Sequence, residues 1–153
     1  MSTALQVLKA LQTVIATQLN EYLEEDIPPL QNGSVEISFP IVDQMSKNNM
    51  VYIQPSYAEF EPLTTTSDVV GFKVSIFILS KKDTRENLTI KNHGYYEALC
   101  RLLRSNTELD GAVSEVLLNN VTFYPAVEAN PNIVGAELEL TLGYEKDYQG
   151  EVS

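Results

Sequence analysis

The stretch VVGFKVSIFILS, residues 69–80, is the strongest strand in this sequence. Apolar side chains alternate through residues 72–78, and a period of two is that of a β-strand with one face in a core. The opposite face begins with Lys73 and becomes apolar only at Phe77 and Leu79. We therefore expect a helix or a neighbouring subunit to cover part of that second face.

A first amphipathic helix is predicted over residues 3–25, ahead of this strand. Leucine, isoleucine and tyrosine recur there at intervals of three and four, which gives a helix one apolar side. Thr3 and Gln6 are spaced for a capping box, in which each side chain satisfies an amide at the helix start. The helix must end before Pro28, because proline lacks the amide that continues it.

A second helix is predicted directly after the strand. Asp83 or Thr84 can cap it, and it runs to about Ser105 with a stripe of leucines on one side. Gly94 lies within this stripe, where glycine costs about 1 kcal/mol relative to alanine. A kink or a close approach of another segment would explain the glycine.

The remaining strands complete a single α+β domain. Their order with the helices is α-β-β-β-α-β-β, which predicts one mostly antiparallel sheet with two packing helices. Val121 and Phe123 are expected to point inward, and the polar tail, residues 145–153, is expected to be flexible. The further strands are predicted at residues 35–39, 50–54, 112–127 (broken at Asn119-Asn120 and Pro125) and 133–144.

Residues 56–68 form a long polar segment between two predicted strands. The segment is rich in threonine and contains Pro62. Long loops in compact domains are commonly functional or mobile. We predict a mobile docking loop here, carried by Thr64, Thr65, Thr66 and Ser67.

The charge is strongly negative but unevenly distributed. The net charge is −11, which argues against independent binding to nucleic acid or to an anionic membrane surface. Residues 73–104 carry seven bases and three acids, a net of +4, and the rest of the chain carries −15. Identical copies could therefore meet head to tail through complementary charge; the alternative is a basic, solvent-exposed helix face.

Candidate catalytic residues are few, and each has a simpler explanation. The only histidine, His93, falls on a polar helix face, and the only cysteine, Cys100, falls among core leucines. Glu137 and Glu139 project from one face of a strand about 7 Å apart, a separation that glycosidases use, but a solvated face or subunit contact is simpler. The sequence predicts no enzyme, no cofactor and no metal site.

Cysteine content and hydropathy bear on the compartment. A single cysteine permits no internal disulfide, which is typical of a reducing environment. The first residues lack the pattern of a signal peptide, and no apolar stretch reaches the length of a membrane span. We therefore expect the protein in a cytoplasm, or in a particle assembled there, with no membrane partner.

The layout resembles a known family. A helix and a short strand pair precede FKVSIFILSKK (72–82), the helix HGYYEALCRLLRSN (93–106) follows, and NNVTFYPAVEANPNIVGAELELTLGYE (119–145) closes the chain. This arrangement, over residues 3–145, resembles the tail terminator, or tail completion, proteins of tailed bacteriophages and related contractile particles. Specificity rests on layout, since the family has no short diagnostic motif.

The resemblance implies a structural role in the virion. Such subunits form a ring, typically a hexamer, that caps the tail tube, stops its polymerisation and meets the head connector while DNA passes through. The implied partners are further copies of the chain, the tail tube protein and the head connector. Two alternatives remain: a head-completion or connector protein, and a small ligand-binding or hydrolase domain. The candidate subunit contacts are Lys73, Lys81, Lys82, Arg85, Glu137 and Glu139.

Overall fold

The computed structural model describes residues 3–148 and confirms the predicted order of elements. Within this range no helix is long and apolar enough to cross a bilayer. The helices are α1 (Ala4–Gln18) and α2 (Arg85–Ser105), with 3-10 turns at Leu19–Tyr22 and Val42–Gln44. The strands are β1 (Val35–Glu36), β2 (Asn49–Pro62), β3 (Ser67–Lys81), β4 (Glu115–Tyr124) and β5 (Ile133–Asp147).

The five strands form one sheet in the order β1-β2-β3-β5-β4. β3 and β5 occupy the middle, and every pairing is antiparallel except that of β1 with β2. The prediction of a mostly antiparallel α+β fold is confirmed. β3 pairs along its whole length with β5 and through residues 68–80 with β2. The strand predicted at residues 69–80 is therefore the central strand of the sheet.

Both helices pack on the same face of this sheet. The main core joins the apolar stripes of α1 and α2 to the inward residues of β2, β3 and β5. Asn92 ties α2 to the sheet from within this core: its Nδ2 donates to the backbone oxygen of Ile78 at 2.8 Å and to that of Val134 at 3.3 Å. Among residues 3–148 no α-helix packs on the opposite face of the sheet, which we term the open face.

The first helix is shorter than predicted. The capping box of Thr3 and Gln6 is present, but α1 ends at Gln18 and a 3-10 turn follows. The side chain of Asn20 then holds the returning chain, because it donates to the oxygen of Leu30 at 3.1 Å and accepts from its amide at 2.8 Å. These bonds reach ten residues along the chain and fold residues 19–30 back on themselves, which the leucine spacing alone could not reveal.

The second helix agrees with the prediction. Thr84 is its N-cap and accepts from the amide of Asn87. Gly94 is explained by a close approach: a Cβ built there would lie 2.6 Å from the Cδ1 of Ile27. The buried Ile27 side chain, in the loop after α1, therefore occupies the space that any larger residue at position 94 would need.

The predicted loop at residues 56–68 is wrong, because the chain continues as a β-hairpin. β2 passes through Pro55 with a local irregularity and reaches Pro62, and β3 begins at Ser67. β1 pairs only with Val51 and Tyr52, so the rest of β2 is an edge strand, where proline is tolerated. Only residues 63–66 form the turn.

Several strand boundaries in the structure differ from the predicted ones. β1 stops at Glu36 instead of residue 39, and β4 continues across Asn119 as a register shift, so the predicted break there is wrong. Phe123 is 50% exposed and does not point fully inward. β5 extends to Asp147, so the start of the predicted flexible tail is paired strand; residues 149–153 lie outside the described range.

Candidate interaction surface

The open face of the sheet is acidic. Residues paired across neighbouring strands share a face, so the registers place eight carboxylates there with two lysines, Lys73 and Lys81. Like charges at this density repel polyanions and attract cationic partners. The eight are Glu36, Glu59, Glu61, Glu115, Glu137, Glu139, Glu145 and Asp147.

One end of the open face is apolar and is covered by the same chain. Met50, Tyr52 and Leu79 form a small second core with Met45, which follows the 3-10 turn Val42–Gln44. Phe77 packs against it from the side. Part of this face is therefore covered, as predicted, but by a short segment of the same chain and not by a long helix. Cover by a neighbouring subunit stays a prediction.

The centre of the open face is a polar groove. Thr141 accepts two hydrogen bonds through its hydroxyl, one from the Lys73 ammonium and one from the Asn119 amide, each at 2.8 Å. Glu139 and Tyr57 line the same cavity of about 270 Å³. The side chains of Lys73, Asn119 and Thr141 are held by these hydrogen bonds, so the groove presents ordered polar groups at the centre of the open face.

Glu137 and Glu139 lie on one face, as the sequence predicted. The Glu137 carboxylate accepts a hydrogen bond from the Tyr124 hydroxyl at 2.8 Å. That bond, together with partial burial, raises the pKa of Tyr124. This hydrogen bond ties the Glu137 carboxylate to the edge strand β4, and its role in a subunit contact stays a prediction.

The basic candidates do not form one cluster. Lys73 lies at the centre of the open face, whereas Lys81, Lys82 and Arg85 lie where β3 passes into α2. Lys81 donates to the oxygen of Met45 at 3.3 Å, and Lys82 and Arg85 are exposed. The sequence grouped them by proximity along the chain, but Lys73 belongs with the acids of the sheet.

The threonine-rich segment forms the turn of the hairpin. The amides of Leu63 and Thr64 both donate to the backbone oxygen of Ser67, at 3.0 and 3.2 Å. The hydroxyls of Thr64 and Ser67 lie 2.7 Å apart, and Thr65 is exposed. The docking segment is therefore a compact tip at the end of two long strands, and its docking role stays a prediction.

His93 and Cys100 occupy the helical side of the sheet. The His93 ring packs against Tyr96 and Phe123 with centroids 5.6 and 5.7 Å away, and its Nε2 lies 3.4 Å from Glu97. Burial raises the pKa of the Cys100 thiol, which disfavours the nucleophilic thiolate. Among residues 3–148 no group of three His, Cys, Asp or Glu side chains is placed to hold a metal ion.

Sequence reasoning missed most of the acidic open face. Glu59 and Glu61 alternate with Phe60, and this period of two was a usable strand signal that the neighbouring threonines and Pro62 obscured. Glu145 and Asp147 were assigned to the tail. Only strand pairing, which a single sequence does not display, brings these distant carboxylates together.

Comparisons with known proteins give a likeness in structure and none in sequence. No family model matches the sequence, and no curated protein matches it. Among solved structures, the chain is similar to the sheath/tube terminator, in its extended state, of the extracellular contractile injection system PVC. The TM-score is 0.47 and the identity 14%, with 96% of this chain and 58% of that chain covered. The chain thus corresponds to little more than half of that neighbour's length.

Proposed function

We propose that this chain is a structural subunit of a phage tail or a related contractile particle, and that a ring of copies, typically six, caps the tail tube. The cap stops polymerisation of the tube and joins it to the head connector. The proposal rests on the resemblance of residues 3–145 to tail terminators and on one structural observation, the acidic open face. Such a subunit assembles in the host cytoplasm and remains at the head-proximal end of the tail.

The acidic open face is the observation that carries this proposal. A ring around a DNA channel must let phosphates pass without holding them, and protein–DNA affinity comes mainly from lysine and arginine. A face with eight carboxylates and two lysines repels DNA. In the proposed ring this face, with Glu137 and Glu139 at its centre, lines the channel.

Tube length tests the capping function. Particles produced without this chain are expected to carry tubes of uncontrolled, excessive length in electron micrographs, and the wild-type chain supplied in trans restores uniform tails. Tails of normal length that fail to attach to heads would instead identify a head-completion protein. Normal, attached tails would refute both structural functions.

A charge reversal tests the channel. Glu137→Lys with Glu139→Lys is expected to leave tube length normal and to slow DNA release, because the new lysines bind passing phosphates. The matched control, Glu21→Lys with Glu25→Lys, makes the same charge change at exposed positions beside α1. Equal rates of DNA release in both variants would show that the open face does not line the channel.

A further inference from the structure

The turn end of the β2–β3 hairpin carries an acidic tip, defined here as residues 59–70 with residues 145–148. Strand pairing sets these two segments side by side, since Asp68 pairs with Lys146 and Val69 with Glu145. Phe60 and Leu63 are 61% and 52% exposed at this end. The tip holds a net charge of −4, from Glu59, Glu61, Asp68, Glu145 and Asp147 against Lys146.

The opposite end of β3 carries a positively charged surface. It consists of residues 43–49 with residues 81–86 and is termed the base, because it lies at the end of the hairpin away from its turn. The amide of Lys81 donates to the oxygen of Asn48 at 2.9 Å, which joins these two segments. Asp83 is already ion-paired with Lys91. In a chain of net charge −11 this surface is positive, with Lys47, Lys81, Lys82 and Arg85 against Asp43, Asp83 and Glu86.

The base also contains a polar cavity with unsatisfied groups. The cavity measures about 320 Å³ and lies between residues 28–34 and residues 46–49. Ser34 lines it and is 1% exposed, and its hydroxyl has no hydrogen-bond partner among residues 3–148; the same holds for the buried Oδ1 of Asn49. A buried polar atom without a hydrogen-bond partner is unfavourable, so this cavity favours an incoming hydroxyl.

The tip and the base cannot meet within one molecule. They lie at opposite ends of β3, whose 15 residues span roughly 45 Å at about 3.3 Å per residue. Two different complementary patches on one chain form a heterologous contact between copies, which builds a ring when the rotation closes. A second copy of this chain is therefore the occupant that the charges select.

We propose that the acidic tip of one copy docks on the basic base of the next, with the hydroxyls of the turn at residues 64–67 entering the polar cavity. This contact rests on the proposed function, because it supplies the joint between neighbouring subunits of the ring. Glu59 and Glu61 lie on β2 just before the turn. In the docked pair they face Lys82 and Arg85 of the next copy. The apolar Phe60 and Leu63 meet the exposed Phe39 and Ile41, which precede the base in sequence.

A charge-swap experiment tests the contact. Variant A, Glu59→Lys with Glu61→Lys, raises the net charge of the tip from −4 to 0 and sets two lysines against Lys82 and Arg85 of the next copy. Variant B, Lys82→Glu with Arg85→Glu, lowers the net charge of the base from +1 to −3 and sets two glutamates against Glu59 and Glu61. All four positions are exposed, and an acid at position 85 suits the start of α2. Each variant alone is expected to self-associate about tenfold or more weakly in light scattering, and an equimolar mixture is expected to recover wild-type assembly, with A and B alternating.

If the wild-type chain stays monomeric in solution, a cross-linking experiment tests the same contact. In a background carrying Cys100→Ala, a Thr65→Cys copy mixed with an Asn48→Cys copy is expected to form the mixed disulfide faster than either homodimer. Homodimers and mixed dimers in statistical proportion would overturn the proposal. So would assembly that is equal in the wild type, in A, in B and in their mixture, whereas tube-length control by the wild-type chain would still support the capping function.

Discussion

Replacing Gly94 by alanine tests how α2 packs against the loop after α1. In a solvated helix this change stabilises by about 1 kcal/mol. Here the new Cβ would lie 2.6 Å from two carbons of Ile27, Cδ1 and Cγ1, where carbon contacts are ordinarily about 3.5–4.0 Å. Ile27 is 6% exposed, so the loop must shift or the side chain must leave its place in the core.

The sign of the effect should depend on Ile27. Overpacking of this kind costs about 1–3 kcal/mol, which exceeds the helix gain and leaves Gly94→Ala destabilised by about 1 kcal/mol. Ile27→Ala removes the clashing carbons, and in that background Gly94→Ala should stabilise by about 1 kcal/mol. The double-mutant cycle therefore yields a coupling of about 2 kcal/mol between positions 27 and 94.

Urea unfolding followed by far-UV circular dichroism measures these free energies, since the chain contains no tryptophan for fluorescence. All four proteins of the cycle should show the same m-value. If Gly94→Ala stabilises equally in both backgrounds, the coupling is zero. That result would refute the close approach of Ile27 and with it the explanation of the glycine.

Three further predictions concern the same helix. Asn92→Leu removes the donor to two strand carbonyls and should destabilise by about 2–4 kcal/mol in urea unfolding; an unchanged midpoint would contradict that anchoring. Tyr95→Phe loses the 2.6 Å bond to the oxygen of Pro28 and should cost about 1–2 kcal/mol, whereas a neutral effect would mean that water replaces the hydroxyl. The pKa of Asp83 is lowered from 3.8 to about 2, first by its bond with Lys91, so its stabilisation is present above pH 3.8 and is lost as pH falls towards 2. Asp83→Asn should reduce the loss of unfolding free energy between pH 3.8 and pH 2, measured by urea unfolding at each pH. An equal loss in both proteins would show that Asp83 is not its source.

The fold was predictable from the sequence because its main elements carry strong periodicity. Residues 69–80 alternate cleanly, Thr84 is a good cap, and the leucines of α2 recur on one side. Each of these signals is a spacing of residues within one short segment, so it can be seen without knowing the contacts between segments. The order of elements followed, and with it the α+β class.

The sequence failed where distant contacts override local signals. Pro55 and Pro62 are typical of loops, but β1 leaves most of β2 as an edge strand, so neither proline breaks a ladder there. The helix α1 ends early because Asn20 bonds to Leu30, ten residues away. Propensity within a window cannot include such partners.

The candidate surface was predictable only in part. Glu137 and Glu139 share a face because a strand alternates, which a sequence displays directly. The acidic tip needs three strands in register, and the cavity at Ser34 needs residues 28–34 beside residues 46–49. Both depend on pairing between segments that lie far apart in the chain.

The central claim, capping of the tube, is tested most directly by locating the protein on isolated tubes. Purified tail tubes are incubated with the chain carrying a gold label at its N-terminus, and particles are scored by negative-stain electron microscopy. If the chain caps the tube, a single cluster of label is expected at one end of each tube, with no elongation from that end when tube protein is added. Label spread along the walls, or absent from the tubes while both ends continue to grow, would contradict it.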